Sequence, residues 1–255
     1  MAHLDRVKAE FSRQADTFSV YAAQAGGSVV TRISEAVGAA GSGAILDLAC
    51  GPGVVTAALA GGTRNITAFD ATPAMLDKAR QRCEKAGFTH VQYQQGDAEA
   101  LPFAENTFDV VVTRLAVHHF AHPDRVLAGV LRVLRPGGRL VLVDVTVSED
   151  QAEAALQNAI ENIRDPSHVR MLPYSELMAL TRAAGFDILA EATWDASREF
   201  EEWMGIVNEP LRIQSLRTVT RALAEAGRSA GMGLAMEDGK IVFFHRWQLI
   251  AAGKA

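Results

Sequence analysis

The sequence predicts an α/β fold, a doubly wound and mostly parallel sheet of seven strands covered by helices. Three observations carry that prediction. Seven short apolar or β-branched runs, beginning near Ala44, Asn65, His90, Phe108, Gly138, Phe186 and Lys240, are separated for most of the chain by helical stretches. Ala44–Leu48 leads directly into Gly51-Pro52-Gly53 and a helix from Val54, the strand, glycine turn and helix start of a ligand-binding βα unit. Three of the strands run into a carboxylate at or just past their ends, Asp47, Asp70 and Asp97.

Length and composition fit that fold. At 255 residues and 49% apolar, the chain has material for one core. It divides into N-terminal helices that form a lid (1–43), a ligand-binding half (44–147) and a second half (148–255) with a helical insertion (193–239) ahead of the last strand. The net charge of −5, with no basic cluster interleaved with aromatics, argues against nucleic acid as partner. Cys50 and Cys83 lack CxxC spacing and read as reduced, buried residues. No apolar run approaches the roughly 20 residues that cross a bilayer, and no signal peptide precedes the first helix. A cytoplasmic protein, monomer or homodimer, with a small-molecule substrate and no membrane partner is expected.

From about Asp5 to Ala23, Val7, Phe11, Ala15, Phe18 and Tyr21 recur at loose helical spacing, and a further helix spans Ser28 to Val37. In the first strand Ile45, Leu46 and Leu48 form the apolar run of a strand buried on both faces. Gly51 and Gly53 let backbone approach a ligand without a Cβ. A dinucleotide fingerprint would place a third glycine where Thr56 stands, and the Asp47 carboxylate would repel a diphosphate but accept from an ammonium group. At this point Asp47-Leu48-Ala49-Cys50-Gly51-Pro52-Gly53 resembles the first motif of the class I S-adenosylmethionine-dependent methyltransferases, a Rossmann-like family.

The second strand ends at Asp70, 19 residues beyond Gly51, where the two oxygens of a carboxylate suit the two hydroxyls of a ribose. Thr72-Pro73 reads as an N-cap and first helical residue, so Asp70 also fits a helix start. Met75 in that helix faces either an adenine or the core. After His90–Gln94, Asp97 and the Ala98 N–H suit the edge of an adenine, and Gly96-Asp97-Ala98-Glu99-Ala100-Leu101-Pro102-Phe103 looks like the matching motif of the small-molecule branch, which includes quinone-biosynthesis methyltransferases. Phe108–Arg114 is a central strand that delivers Arg114 to His119 into the site. A helix from Pro123, the Arg135-Pro136-Gly137-Gly138 turn and the strand Gly138–Val145 complete a resemblance covering about residues 44–146.

Ser148–Arg170 reads as helical, Pro173–Leu177 opens another helix that Gly185 stops, and a strand starts at Phe186. Trp194–Gly239 reads as the helical insertion, and Lys240–Ile250 as a last strand, antiparallel by the resemblance. The resemblance implies S-adenosylmethionine as methyl donor and S-adenosylhomocysteine as product. It assigns the methionine end to Asp47 and the Gly51–Gly53 turn, the ribose to Asp70 and the adenine to Asp97 with Ala98, with Tyr21, Ala49, Ala71, Met75, Arg114 and His119 as further contacts. Methyl transfer from a sulfonium needs alignment, a dry pocket and, for an acidic nucleophile, a base. Histidine suits that task, and His168 is the leading candidate, followed by His119 and His118, with Arg170 as an anchor for an anionic acceptor. A metal site is not expected, because adjacent histidines point apart in helix or strand. The acceptor atom, oxygen, carbon or nitrogen, stays open. The alternative is a methyltransferase-fold protein that binds S-adenosylmethionine but catalyses a non-methylating, cyclase-like reaction.

Overall fold

The computed structural model describes residues 3–24 and 27–255. Three helices come first, α1 (His3–Arg13), α2 (Ala15–Gln24) and α3 (Gly27–Val37), then β1 (Ile45–Leu48), α4 (Val54–Leu59), β2 (Ile66–Asp70), α5 (Pro73–Lys85), β3 (Gln92–Gln95), β4 (Phe108–Arg114), α6 (Pro123–Val133) and β5 (Leu134–Thr146). The second half holds α7 (Gln151–Arg164), α8 (Tyr174–Ala183), β6 (Phe186–Glu199), α9 (Phe200–Met204), α10 (Pro210–Glu225), β7 (Ala235–Glu237) and β8 (Lys240–Lys254). The sheet runs in the order β3-β2-β1-β4-β5-β8-β6, with β7 as a hairpin on β8. β1 to β5 pair in parallel, and β8 lies antiparallel to both β5 and β6. Strand order reverses between β1 and β4, the switch point at which open α/β sheets bind ligands.

Side-chain alternation sorts the strands into two cores. Ile45, Ile66, Ala68, Val110, Val112 and Val141 meet α3, α4 and α5 through Ile33, Val55, Leu59 and Ala79. Leu46, Leu48, Phe69, Val111, Leu140 and Leu142 meet α6 and α8 through Val126, Val130, Leu177 and Met178. A third core, built around Trp203, Phe200, Leu216, Met232 and Phe243, is the insertion, and Phe18 and Tyr21 of α2 pack on it. The N-terminal helices are tied to this insertion by charge. Buried Glu10 takes Arg13 at 2.7 Å and Arg212 of α10 at 3.1 Å, while Arg13 reaches Glu209 at 2.7 Å.

Several expected boundaries differ, among them β5, which begins at Leu134 and not at Gly138, and two differ by a whole segment. The insertion is helical only over α9 and α10, because residues 194–199 continue β6 along β8, with Trp194 opposite Trp247 and Arg198 opposite Phe243. The helix expected to reach Arg170 stops at Arg164, since the following segment turns back onto the fourth strand's exit, where Val169 and Arg170 N–H donate to the His118 carbonyl at 2.8 and 3.1 Å. No helix of the described residues is long and apolar enough to cross a membrane.

Candidate active site

A cavity of about 430 Å³ opens above the carboxyl ends of β1, β2 and β4, with α1, α2 and the insertion over it. Of the residues expected there, Tyr21, Asp47, Ala49, Gly51, Asp70 and Ala71 line it, as do Met75, Asp97, Ala98, Arg114, His118, His119 and His168. Gly53 does not. Its φ of +74° closes the turn, and a Cβ there would lie 2.7 Å from the Ala79 Cα, so this glycine serves the close packing of α4 on α5. Gly51, with a φ of +53°, is the glycine that faces the cavity.

The three carboxylates are held differently. Asp47 is buried, and Thr56 donates its hydroxyl to Oδ2 at 2.5 Å, a bond that the sequence pattern did not reveal. Burial pushes the Asp47 carboxyl up to about 7, against the Thr56 bonds that favour the ion. Asp70 accepts from the Gly51 N–H at 2.9 Å and the Thr72 N–H at 2.8 Å, so it braces both the glycine turn and the start of α5, where Thr72 makes no side-chain cap. Asp97 accepts from the Glu99 N–H at 2.9 Å and so presents a one-turn loop with Ala98 at its head.

Across the cavity three histidines converge. After Arg114, Leu115 adopts a φ of +53° and residues 117–119 form one tight helical turn that does not continue. This geometry brings the His118 and His119 rings within 4.3 Å of each other rather than pointing them apart, which corrects the expectation from regular secondary structure. His168 arrives on the returning segment, 5.6 Å from His118. The environments differ sharply. His118 Nδ1 lies 2.6 Å from Asp144 Oδ1, and Asp144 also accepts the Val117 and Val145 N–H groups. Burial opposes charging His118, but the Asp144 carboxylate outweighs it and raises the ring above the usual histidine range. His119 is pushed down to about 4 by burial and by the neighbouring His118, its Nδ1 held by the Ser167 carbonyl at 3.1 Å. Burial and His118 likewise bring His168 to about 4, and its Nε2 donates to Asn158 at 2.9 Å. Among the described residues no group of three histidine, cysteine or carboxylate side chains is arranged to hold a metal.

The remaining wall belongs to β8, β6 and α7. His245 Nε2 lies 3.3 Å from Glu161, and Arg164 lies 3.6 Å from the same carboxylate. Burial alone would raise Glu161, but His245 and Arg164 carry it down to about 2. Arg170, expected as an anion anchor, instead pairs with Glu176 at the surface. The arginines that face the cavity on this side are Arg114, Arg164 and Arg198.

Similarity to known proteins follows this geometry. A methyltransferase domain model matches residues 46–142, which span the first five strands. The uncharacterized methyltransferase YcgJ of Bacillus subtilis is 32% identical over 160 residues, 63% of each chain. A solved structure from Bacillus halodurans, provisionally described as a methyltransferase, superimposes with a TM-score of 0.83 at 31% identity and covers 89% of this chain and 99% of its own. The chain belongs to the class I S-adenosylmethionine-dependent methyltransferases. The ubiquinone/menaquinone biosynthesis C-methyltransferase UbiE of Shewanella pealeana is 32% identical to this methyltransferase over 162 residues, and the match spans only 62% of UbiE. Just as for YcgJ, the alignment leaves about a third of that relative outside.

The residues of this methyltransferase fit the donor that its family uses. Asp47 is a buried acid with no ion pair among the described residues, suited to an ammonium group. Gly51 leaves open backbone beside it, and the Asp70 and Asp97 carboxylates, engaged mainly by backbone N–H groups, keep lone pairs for further donors.

Proposed function

We propose that this methyltransferase moves a methyl group from S-adenosylmethionine to a small organic acceptor, with His118 as the base. S-adenosylmethionine, when bound, supplies an electrophilic methyl on a sulfonium. Asp47 would hold its ammonium, Asp70 the ribose hydroxyls, and Asp97 with the Ala98 N–H the adenine edge, while Met75, Tyr21 and Ala71 enclose it. The observation that carries this reading is the meeting of all three carboxylates with the histidine turn in one cavity.

His118 is preferred to the other two histidines for a geometric reason. Asp144 accepts the hydrogen bond of its Nδ1–H, so Nε2 is left as the acceptor nitrogen, and the carboxylate stabilises the imidazolium formed when that nitrogen gains a proton. His168 uses Nε2 to hold Asn158, which also accepts the Met171 N–H at 2.8 Å, so its role is to fix the returning segment. His119 packs edge-on against Phe11, with ring centroids 5.1 Å apart, and closes the cavity beneath α1.

Calorimetry with S-adenosylhomocysteine tests the donor site. Wild type should bind, and Asp70→Ala should lose about tenfold or more in affinity, the worth of a hydrogen bond to a charged group. Unchanged affinity removes Asp70 from the site. Product mass then separates the chemistries, since a gain of one CH₂ with S-adenosylhomocysteine formed supports transfer and an isomer of equal mass supports the cyclase-like alternative.

A further inference from the structure

Two arginines of the cavity stand apart from the ion pairs of its wall, Arg114 beside the proposed donor residues at the end of β4 and Arg198 on the β6–β8 wall across from them. Arg114 ends β4, and Arg198 lies near the end of β6, two residues beyond Ala196, which sits opposite His245. Strand register places Val145, Trp247, His245 and Arg198 on one face of the sheet, beside Arg114. The Nε atoms of both arginines are buried and make no hydrogen bond, as does the indole Nε1 of Trp247, whose ring lies 5.7 Å from the Arg114 guanidinium. Neither arginine has a carboxylate within ion-pair distance among the described residues, whereas Arg164 has Glu161, Arg212 has Glu10 and Arg246 has Asp195.

A half-buried guanidinium whose buried Nε has no acceptor and whose charge has no partner favours an anion beside it. Glu161 cannot serve either arginine, being engaged by His245 and Arg164. Arg114 is under the charges of Asp47 and Tyr21, two of the proposed donor contacts, and goes with them, which leaves Arg198 without a partner. The unfilled groups here are donors only, so what completes them is an acceptor with negative charge. Beside the His245–Glu161–Arg164 cluster, Val145, Met171 and the Trp247 ring supply apolar lining.

We infer that the methyl acceptor carries a carboxylate, held by Arg198 on the β6–β8 side of the cavity. The planar guanidinium fork matches the two oxygens of a carboxylate, and the apolar wall takes the carbon skeleton to which it is attached. This inference rests on the methyl-transfer reading. It locates the acceptor's charged end on the β8–β6 side, across the cavity from the proposed donor site.

The test titrates the complex of the full-length enzyme with S-adenosylhomocysteine against a panel of aliphatic and aromatic monocarboxylates and their neutral amides, benzoate and benzamide among them, with phenyl phosphate included. At least one carboxylate should bind about tenfold or more tightly than its amide. Arg198→Gln should erase that preference and leave S-adenosylhomocysteine affinity unchanged, and Arg198→Lys should restore part of it. Equal binding of acids and amides throughout the panel overturns the inference, as does a preference for phenyl phosphate over benzoate. A fall in S-adenosylhomocysteine affinity in Arg198→Gln also overturns it, because the arginine would then belong to the donor's amino acid end. Failure of wild type to bind S-adenosylhomocysteine would instead strike the donor-site reading itself, so the two failures are distinguishable.

Discussion

Asp144 shows how one side chain sets the chemistry of its neighbours. It is a fully buried carboxylate at the end of a strand that is otherwise apolar over Leu140–Val145, and it is satisfied by two short backbone N–H bonds and the His118 ring. The ion pair raises His118, so replacing the carboxylate should let burial dominate. In Asp144→Asn the His118 ring should titrate below the ordinary value of about 6.5, whereas in wild type it titrates above it. Proton-detected NMR of the imidazole nitrogens follows this without any acceptor. His118→Gln should lower methyl transfer by about 10²-fold or more and leave S-adenosylhomocysteine binding intact, the signature of a lost base. At this scale the place of Asp47, Asp70, Asp97 and Gly51 at the cavity was legible in the sequence, because each falls at a fixed place at or after the end of a strand. Asp144, Thr56 and Arg198 were not. Their roles depend on which side chain stands across a strand or helix, and a histidine pair whose turn is neither helix nor strand defeats any argument from regular spacing.

The glycine turn separates two roles that its sequence runs together. Gly53 meets the α5 backbone, while Gly51 has nothing closer than the Phe18 ring at 3.8 Å and faces the cavity. Gly53→Ala should therefore destabilise the fold by about 2–3 kcal/mol, from its positive φ and the overlap with Ala79 together. Gly51→Ala should cost about 1 kcal/mol of stability but lose S-adenosylhomocysteine affinity. Denaturant unfolding and calorimetry on the two variants check the contrast. Strands β1, β2 and β4 and the helices between them were readable from apolar runs and punctuation. The end of β6 was not, because Trp194–Glu199 alternates half-buried with exposed positions at the sheet's edge and offers little apolar signal.

Across the whole molecule the buried histidines make stability depend on acid in a definite direction. His119 and His168 stand at about 4 in the folded chain, below the ordinary histidine value, so between about pH 6.5 and 4 the unfolded chain binds more protons. Their neutral forms are fully compatible with the fold above pH 6.5, and that stability is lost as the pH falls towards 4. His245 shifts the same way. His118, raised by Asp144, runs opposite, contributing below pH 6.5 and losing its contribution as the pH rises through its higher folded value. Asp47, at about 7 in the folded chain, and Asp70, also raised, run opposite too and gain stability as the pH falls, so the histidine part is isolated by substitution: the change in unfolding free energy between pH 7 and pH 4.5 should shift by about 2 kcal/mol in His168→Asn, in the direction of less loss at the acid end, as read by denaturant titrations at the two pH values. The sheet has a consequence of another kind. β6 pairs with β8 alone, and β8 is made only after α9, α10 and β7, whereas β1 to β5 find their parallel partners as soon as each has been synthesised. A chain still leaving the ribosome thus has β1 to β5 available to pair while Arg198 has no neighbouring strand to fix it, so the far wall of the cavity is the last part of it to be built.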